Sequence, residues 1–193
     1  MFSLPDFVKI GGTEYEVFTD FRDWIKFELL ISDDDVSYEE KTELIFDWYI
    51  DELPPFCKES IDALFKFYLC GKEFTEDNGG ENEQFLCFEQ DAALIYAAFM
   101  QTYKINLLTI KYLHWWEFKA LFDGLPEDTR LMKVIGYRTV DTSKMDAEDK
   151  KRYEKLKEIY ALDKNRKRKP KTLIEHNERI LAKLRESNQK AHE

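Results

Sequence analysis

Large apolar side chains recur at helical spacing along most of this chain, and this pattern constrains the fold more than any single motif. Segment 20–31 carries Phe21 and Trp24 on one helix face, and segment 57–70 repeats the spacing. Only 7 glycines and 5 prolines interrupt the 193 residues, which argues against a many-stranded sandwich. The predicted fold class is therefore mainly α, a compact multi-helix domain.

A short β-hairpin is predicted at the N-terminus. Two β-prone runs, 7–10 and 13–18, flank the pair Gly11-Gly12, which can supply the positive φ angles of a tight turn. Because an isolated hairpin is only marginally stable, we expect it to pack on the helices.

Helix boundaries are predicted from caps and breakers. Ser37 and Glu40 have the spacing of a capping box, and the helix that follows should end before Pro54. Gly71 is placed to terminate segment 57–70, and the polar segment 72–84 is predicted to be a solvent loop. The remaining predictions are a nearly all-apolar, centrally buried helix after Asp91, helices at 108–123, 127–135 and 146–162, an extended connection at 136–140, and a C-terminal amphipathic helix at about 171–188.

The charge distribution divides the chain. Residues 1–100 carry 24 acidic and 7 basic side chains, whereas residues 151–193 carry 7 acidic and 14 basic ones. This asymmetry, with a dense basic run at 164–171, predicts a helical body at 1–162 and an appendage at 163–193 formed by a basic linker and the last helix.

Two interpretations of the basic run stay open. It could contact a phosphate backbone, or it could be a solvated linker or pair with an acidic protein surface, in this chain or in a neighbouring copy. The acidic body and the lack of interleaved aromatic residues argue against nucleic acid. The last helix could pack on its own body or dock in a groove of a partner.

The sequence contains no recognisable constellation of catalytic or metal-binding residues. Phosphate-binding glycine loops, a nucleophile elbow and an H-E-x-x-H motif are all missing. Cys57, Cys70 and Cys87 form no C-x-x-C pair and sit among apolar residues, so buried thiols are predicted. We therefore predict a protein that is not an enzyme, with no cofactor and no metal.

Targeting signals are also missing from the sequence. No N-terminal leader and no run of roughly 18 apolar residues is present, which predicts a cytoplasmic protein that does not insert into membranes.

The run L-H-W-W-E-F, residues 113–118, raises the question of a catalytic imidazole beside two indoles. The surrounding aromatic residues cover more than half of the predicted 108–123 helix, which indicates a helix buried on two sides, or in the core on one side and at an interface on the other. His114 is then a polar side chain satisfied at the edge of the core, and His114→Gln should be mild whereas Trp115→Ala should damage folding or assembly.

Three segments carry a resemblance to a known family. They read Y-A-A-F-M-Q-T-Y-K-I-N-L-L (96–108), Y-L-H-W-W-E-F-K-A-L-F-D-G-L-P-E-D-T (112–129) and V-I-G-Y-R (134–138). Together they resemble the bacteriophage gene-product-fifteen family, with residues 1–162 covered and 91–138 the specific part.

The resemblance implies a phage or prophage protein encoded among tail genes, next to the tape-measure gene. The implied role is that of a tail assembly chaperone in the bacterial host cytoplasm that binds the tape-measure protein and recruits tail-tube protein, and no catalytic residues are implied. The alternatives are a structural virion component of the tail or its connector, or a prophage protein of another role. The candidate interface residues are Tyr112, Trp115, Trp116, Phe118, Arg138, Lys164, Arg166, Lys167, Arg168 and Lys169.

Overall fold

The computed structural model describes residues 3–72 and 85–163. The elements within them are β1 (Phe7–Ile10), β2 (Thr13–Glu16), α1 (Phe21–Ile31), α2 (Tyr38–Leu44), a 3₁₀ turn (Ile45–Trp48), α3 (Lys58–Tyr68), α4 (Ala92–Tyr103), α5 (Trp115–Asp123), α6 (Arg130–Thr139) and α7 (Ala147–Tyr160). The mainly α fold class with an N-terminal hairpin is confirmed. The predicted loop, the basic run and the last helix lie outside the described residues, and the division at residue 163 stays a prediction.

The hairpin forms as the sequence predicts, although β2 ends at Glu16. Gly11 and Gly12 both have positive φ, 56° and 87°, as a two-residue hairpin turn requires. The outer strand is covered by the residues that follow the 3₁₀ turn, because the Ile50 N–H donates to the Glu16 carbonyl at 3.0 Å and Val17 bridges to Tyr49. This contact ties the hairpin to the helical body.

Polar N-caps set the helix starts at several points. Asp20 accepts a hydrogen bond from the Arg22 N–H at 2.9 Å, and the capping box is confirmed, with Ser37 and Glu40 exchanging bonds of 3.2 and 3.0 Å. The helix predicted up to Pro54 is shorter, since α2 ends at Leu44 and gives way to the 3₁₀ turn.

Aromatic side chains form the centre of the core. Trp24 stacks on Phe67 with ring centroids 4.8 Å apart, and Phe99 stacks on Phe118 at 5.1 Å. All four rings are at most 3% exposed. Phe21 of α1 also stacks on Phe118 at 5.0 Å. The core therefore joins α1, α3, α4 and α5 through stacked rings, whose pairing adds to the free energy gained by area burial alone.

The prediction of a helix from residue 108 is wrong, because α5 begins at Trp115. Lys104 adopts a left-handed φ of 58° and ends α4. The Asn106 side chain then accepts a hydrogen bond from the Leu108 N–H at 3.0 Å. Such a local side-chain bond offers the backbone an alternative to the helix, so residues 104–113 form an irregular segment with a turn at 107–109.

The boundaries predicted for the helix at 127–135 and the extended connection at 136–140 are also wrong. Thr129 is the N-cap of α6, with its Oγ1 accepting a bond from the Met132 N–H at 3.3 Å, and Pro126 lies in the turn before it. Residues 136–139, predicted to be extended, belong to α6. Gly136 lowers helix stability by about 1 kcal/mol relative to alanine, and the anchored side chain of Arg138 fixes the final turn.

The expectation that α4 is buried on most faces is wrong as well. Ile95, Ala98 and Phe99 are buried, but Ala93 and Ala97 are exposed. Alanine reads as apolar in a pattern, yet it combines high helix propensity with little surface to bury. A run rich in alanine therefore forms a helix with one buried face.

The prediction of buried thiols holds for one cysteine in full. Cys87 is buried, whereas Cys57 and Cys70 are partly exposed, and all three are free. Partial burial raises the pKa of the Cys70 thiol to about 11. Burial is incomplete for Cys57 as it is for Cys70; Cys57 is the N-cap of α3, and hydrogen bonding by Ser60 lowers the pKa of its thiol.

Neither a membrane-spanning helix nor a metal-binding cluster is present among the described residues. No helix there has the length and apolar content to cross a membrane, and no group of three or more His, Cys, Asp or Glu side chains there is placed to hold a metal ion.

Candidate interaction surface

His114 is a structural side chain with both ring nitrogens occupied. It is 5% exposed and is the N-cap of α5, where Nδ1 accepts a hydrogen bond from the Trp116 N–H at 3.0 Å. The ring proton is therefore on Nε2, which donates to the Pro5 carbonyl at 2.9 Å. The prediction of a satisfied polar group at the edge of the core is confirmed, and the ring also joins the N-terminal segment to α5.

Two single replacements separate the two bonds of His114. Asparagine can place an acceptor where Nδ1 lies but cannot reach Pro5, whereas glutamine can reach Pro5 but is a poor cap. We expect each to lower the free energy of unfolding by about 0.5–2 kcal/mol, and His114→Ala by roughly the sum. Urea unfolding measures this. A fully stable His114→Gln protein that has lost its function would contradict a purely structural role.

The two tryptophans that follow have different positions. Trp115 is 1% exposed and its Nε1–H donates to the Tyr68 carbonyl at 2.8 Å. Trp116 is partly exposed and donates to the Phe67 carbonyl at 2.8 Å, and its ring would lie 3.2 Å from a Cβ at position 71, where the chain has a glycine. Both indoles thus hold the C-terminal end of α3 against α5.

The prediction of interface residues is wrong for two side chains of this region. Trp115 and Phe118 are buried in the core, so a partner cannot contact them; periodicity placed them on a wide apolar stripe without showing which part faces inward. Tyr112 is 53% exposed and its hydroxyl lies 2.8 Å from the Thr19 hydroxyl, so it stays a surface candidate together with Trp116.

The prediction of Arg138 as an interface residue is also wrong, because its guanidinium bonds to groups of the same chain. It forms a bidentate ion pair with Asp91, with bonds of 2.8 and 2.9 Å, and the two side chains are 11% and 2% exposed. Its remaining donors reach the Tyr160 carbonyl at 2.6 Å and the Phe85 carbonyl at 2.9 Å. Arg138 therefore joins α4, α6 and α7. The other predicted basic interface residues, 164–169, lie outside the described part.

A surface groove that sequence reasoning missed runs along α3. It has a volume of about 650 Å³ and lies between the hairpin, represented by Lys9, and Tyr38 at the start of α2. Its lining includes the apolar side chains of Ile61 and Phe65 and the basic side chains of Lys58 and Lys66. No sequence motif predicts this groove, because its lining residues come from three separate elements, β1, α2 and α3.

A second missed feature is an exposed apolar ridge before α3. We define the Phe56 ridge as Leu53, Pro55 and Phe56, of which Leu53 is 55% and Phe56 63% exposed. The Phe56 ring packs on the buried Phe46 ring, with centroids 4.8 Å apart. A signal for it was present in the sequence, since the Pro-Pro pair separates these residues from any helix face.

The fold and these surfaces define a mainly helical protein with an aromatic core and an acidic surface that presents supported apolar side chains. Comparison with protein-family models matches residues 2–162 to the family described as Bacteriophage Gp15 protein. The chain belongs to that family, so it is a bacteriophage protein, and the resemblance inferred from residues 91–138 is confirmed. None of the curated proteins and none of the solved structures matches the chain.

Proposed function

We propose that this protein is a non-catalytic tail assembly protein that acts as a chaperone for the tape-measure protein in the host cytoplasm. The family match over residues 2–162 carries this proposal, because the resemblance to that family implies a gene beside the tape-measure gene. The tail-tube protein is the proposed second partner.

The surface of the described residues supports a protein-binding role. Residues 3–72 carry 17 acidic and 7 basic side chains, which favours contact with basic polypeptides and keeps the protein soluble while it holds an aggregation-prone client. The α3 groove and the Phe56 ridge add apolar area at that acidic surface. Supported apolar side chains within a polar surround are typical of protein interfaces.

Co-expression with the tape-measure protein of the same phage tests the proposal. We expect the soluble fraction of the tape-measure protein to rise and the two proteins to purify together. An unrelated acidic protein of similar size, expressed at the same level, controls for a general effect of charge. Equal insolubility with and without this protein, and no joint purification, would reject the chaperone role.

Mass spectrometry of purified phage particles separates a chaperone from a structural part of the tail. A chaperone leaves the finished tail, so we expect no peptides of this protein in the particles and abundant peptides in the infected-cell lysate. Detection in the particles at the level of a tail component would favour the structural alternative.

A further inference from the structure

We propose that the Phe56 ridge is a docking surface for a segment of another polypeptide that carries apolar side chains flanked by lysine or arginine. This inference rests on the proposed chaperone function, since it names the surface and the chemistry by which a client is held. Two observations support the inference: hydrogen bonds and ring contacts fix the loop that bears the ridge, and acidic side chains lie next to it.

The ridge is held from below by a chain of hydrogen bonds. Tyr49 donates its hydroxyl to the Ser60 carbonyl at 2.6 Å, and the Ser60 hydroxyl donates to the Pro55 carbonyl at 2.7 Å. Ser60 is fully buried and Tyr49 is 5% exposed. The loop before α3 is therefore fixed to the helix, and Pro54 is buried beneath it.

Aromatic packing gives the same rigidity to the exposed ring. Phe56 packs on Phe46, whose ring centroid lies 5.6 Å from that of Tyr49, and the Tyr49 ring in turn lies 6.3 Å from the Tyr15 ring of β2. A single exposed apolar side chain is ordinary on a protein surface. Here two large exposed apolar side chains, Leu53 and Phe56, lie on one loop whose backbone is already fixed. Binding would therefore cost little conformational entropy for ordering this loop.

Acidic side chains flank the ridge on its N-terminal side and favour a basic partner, and Lys58 on its other side is paired with Asp62. Asp51 and Glu52 directly precede Leu53, and Glu16 lies beside them because its carbonyl accepts the Ile50 N–H. All three are exposed, and within the described ranges no ion pair is formed by any of them. A basic partner would gain complementary charge at close range, whereas an acidic one would be repelled.

A binding measurement on the full-length protein tests the ridge without the natural client. The probe is a fluorescent amphipathic helical peptide of leucine and lysine, about 18 residues and five turns long, compared with its leucine and glutamate counterpart. We expect the wild-type protein to bind the lysine peptide and not the glutamate one. Phe56→Ser and Leu53→Ser should each weaken binding by about 10-fold or more.

Matched variants elsewhere on the surface are the controls. Leu108→Ser removes an apolar side chain that is 78% exposed, and it should leave the affinity unchanged. The double variant Asp51→Asn, Glu52→Gln should weaken binding most at low salt, whereas Glu127→Gln, Asp128→Asn removes two exposed charges and should have little effect. Asparagine suits position 51, whose φ is 58°.

Different results would reject the ridge as a docking surface and the protein as a chaperone. Unchanged binding in both ridge variants, or equal binding of the glutamate peptide, rejects the ridge, and thermal unfolding at the wild-type midpoint shows that the variants are folded. A change of the protein's own oligomeric mass in Phe56→Ser, without loss of peptide binding, would make the ridge a contact between copies instead.

Co-expression of the variants with the tape-measure protein separates the two proposals. If the wild-type protein and Phe56→Ser raise the client's soluble yield equally, the ridge is rejected and the chaperone role stands. If peptide binding depends on the ridge but even the wild-type protein leaves the client insoluble, the chaperone role is rejected and the docking surface stands. A lower client yield with Phe56→Ser than with Leu108→Ser supports both.

Discussion

Arg138→Met is expected to lower the free energy of unfolding by about 3–5 kcal/mol, because it leaves the Asp91 carboxylate buried without its partner. Asp91 is 2% exposed and accepts two bonds from the guanidinium, and among the described residues the Cys87 N–H, at 3.0 Å, is the one donor that would remain to it. The replacement also frees the carbonyls of Tyr160 and Phe85. Urea denaturation followed by tryptophan fluorescence measures the loss.

A second replacement separates the buried charge from the packing of Arg138. Asp91→Asn keeps an acceptor for the Cys87 N–H and removes the charge, so the double variant Asp91→Asn, Arg138→Met should be more stable than Arg138→Met alone. The exposed Arg152→Ala, on α7, is the control and should change stability by no more than about 0.5 kcal/mol. An Arg138→Met protein as stable as the control would show that the ion pair does not fasten α4, α6 and α7 together.

Trp115→Ala is expected to have an effect of similar size, about 3–5 kcal/mol, because it opens a cavity at the centre of the aromatic core. The indole stacks on Tyr68 and Phe118, each at 5.7 Å, and lies 6.4 Å from the Trp24 ring. The replacement also leaves the Tyr68 carbonyl without the 2.8 Å hydrogen bond that the indole N–H donates. The free energy of unfolding, from denaturant titration, is again the measurement.

Two further variants set the scale for Trp115→Ala. Trp115→Phe retains much of the ring volume and loses the indole donor, so it should lower stability by about 1–3 kcal/mol. Tyr112→Ala removes an aromatic side chain that is 53% exposed and should cost less than either. Equal stability of Trp115→Ala and Tyr112→Ala would contradict the placement of Trp115 in the core.

Local chemistry made much of the fold predictable from the sequence. The Gly11-Gly12 turn and the Ser37–Glu40 capping box depend on residues next to one another in the chain, and both appear as predicted. The boundaries that were missed depend on single side chains with a choice of partners. Asn106 and Thr129 form bonds with their own backbone neighbourhood, and periodicity is blind to such bonds.

The functional surface was less accessible to sequence reasoning. Arg138 was predicted to contact another protein. Its ion-pair partner, Asp91, lies 47 residues earlier, and no local sequence pattern indicates that the two side chains meet. Trp115 and Trp116 are adjacent and chemically identical, so only their packing distinguishes the core indole from the partly exposed one. Leu53 and Phe56 read as core residues by composition, and it is the fixed loop around Pro54 that leaves them at the surface.

The most direct measurement of the central claim is the mass of the complex formed with the tape-measure protein. After co-expression and affinity purification of this chain, size-exclusion chromatography with light scattering should give one peak that contains both proteins, with a mass well above the 23.1 kDa of the chain alone. The chain eluting without the tape-measure protein, which stays in the insoluble fraction, would contradict the account.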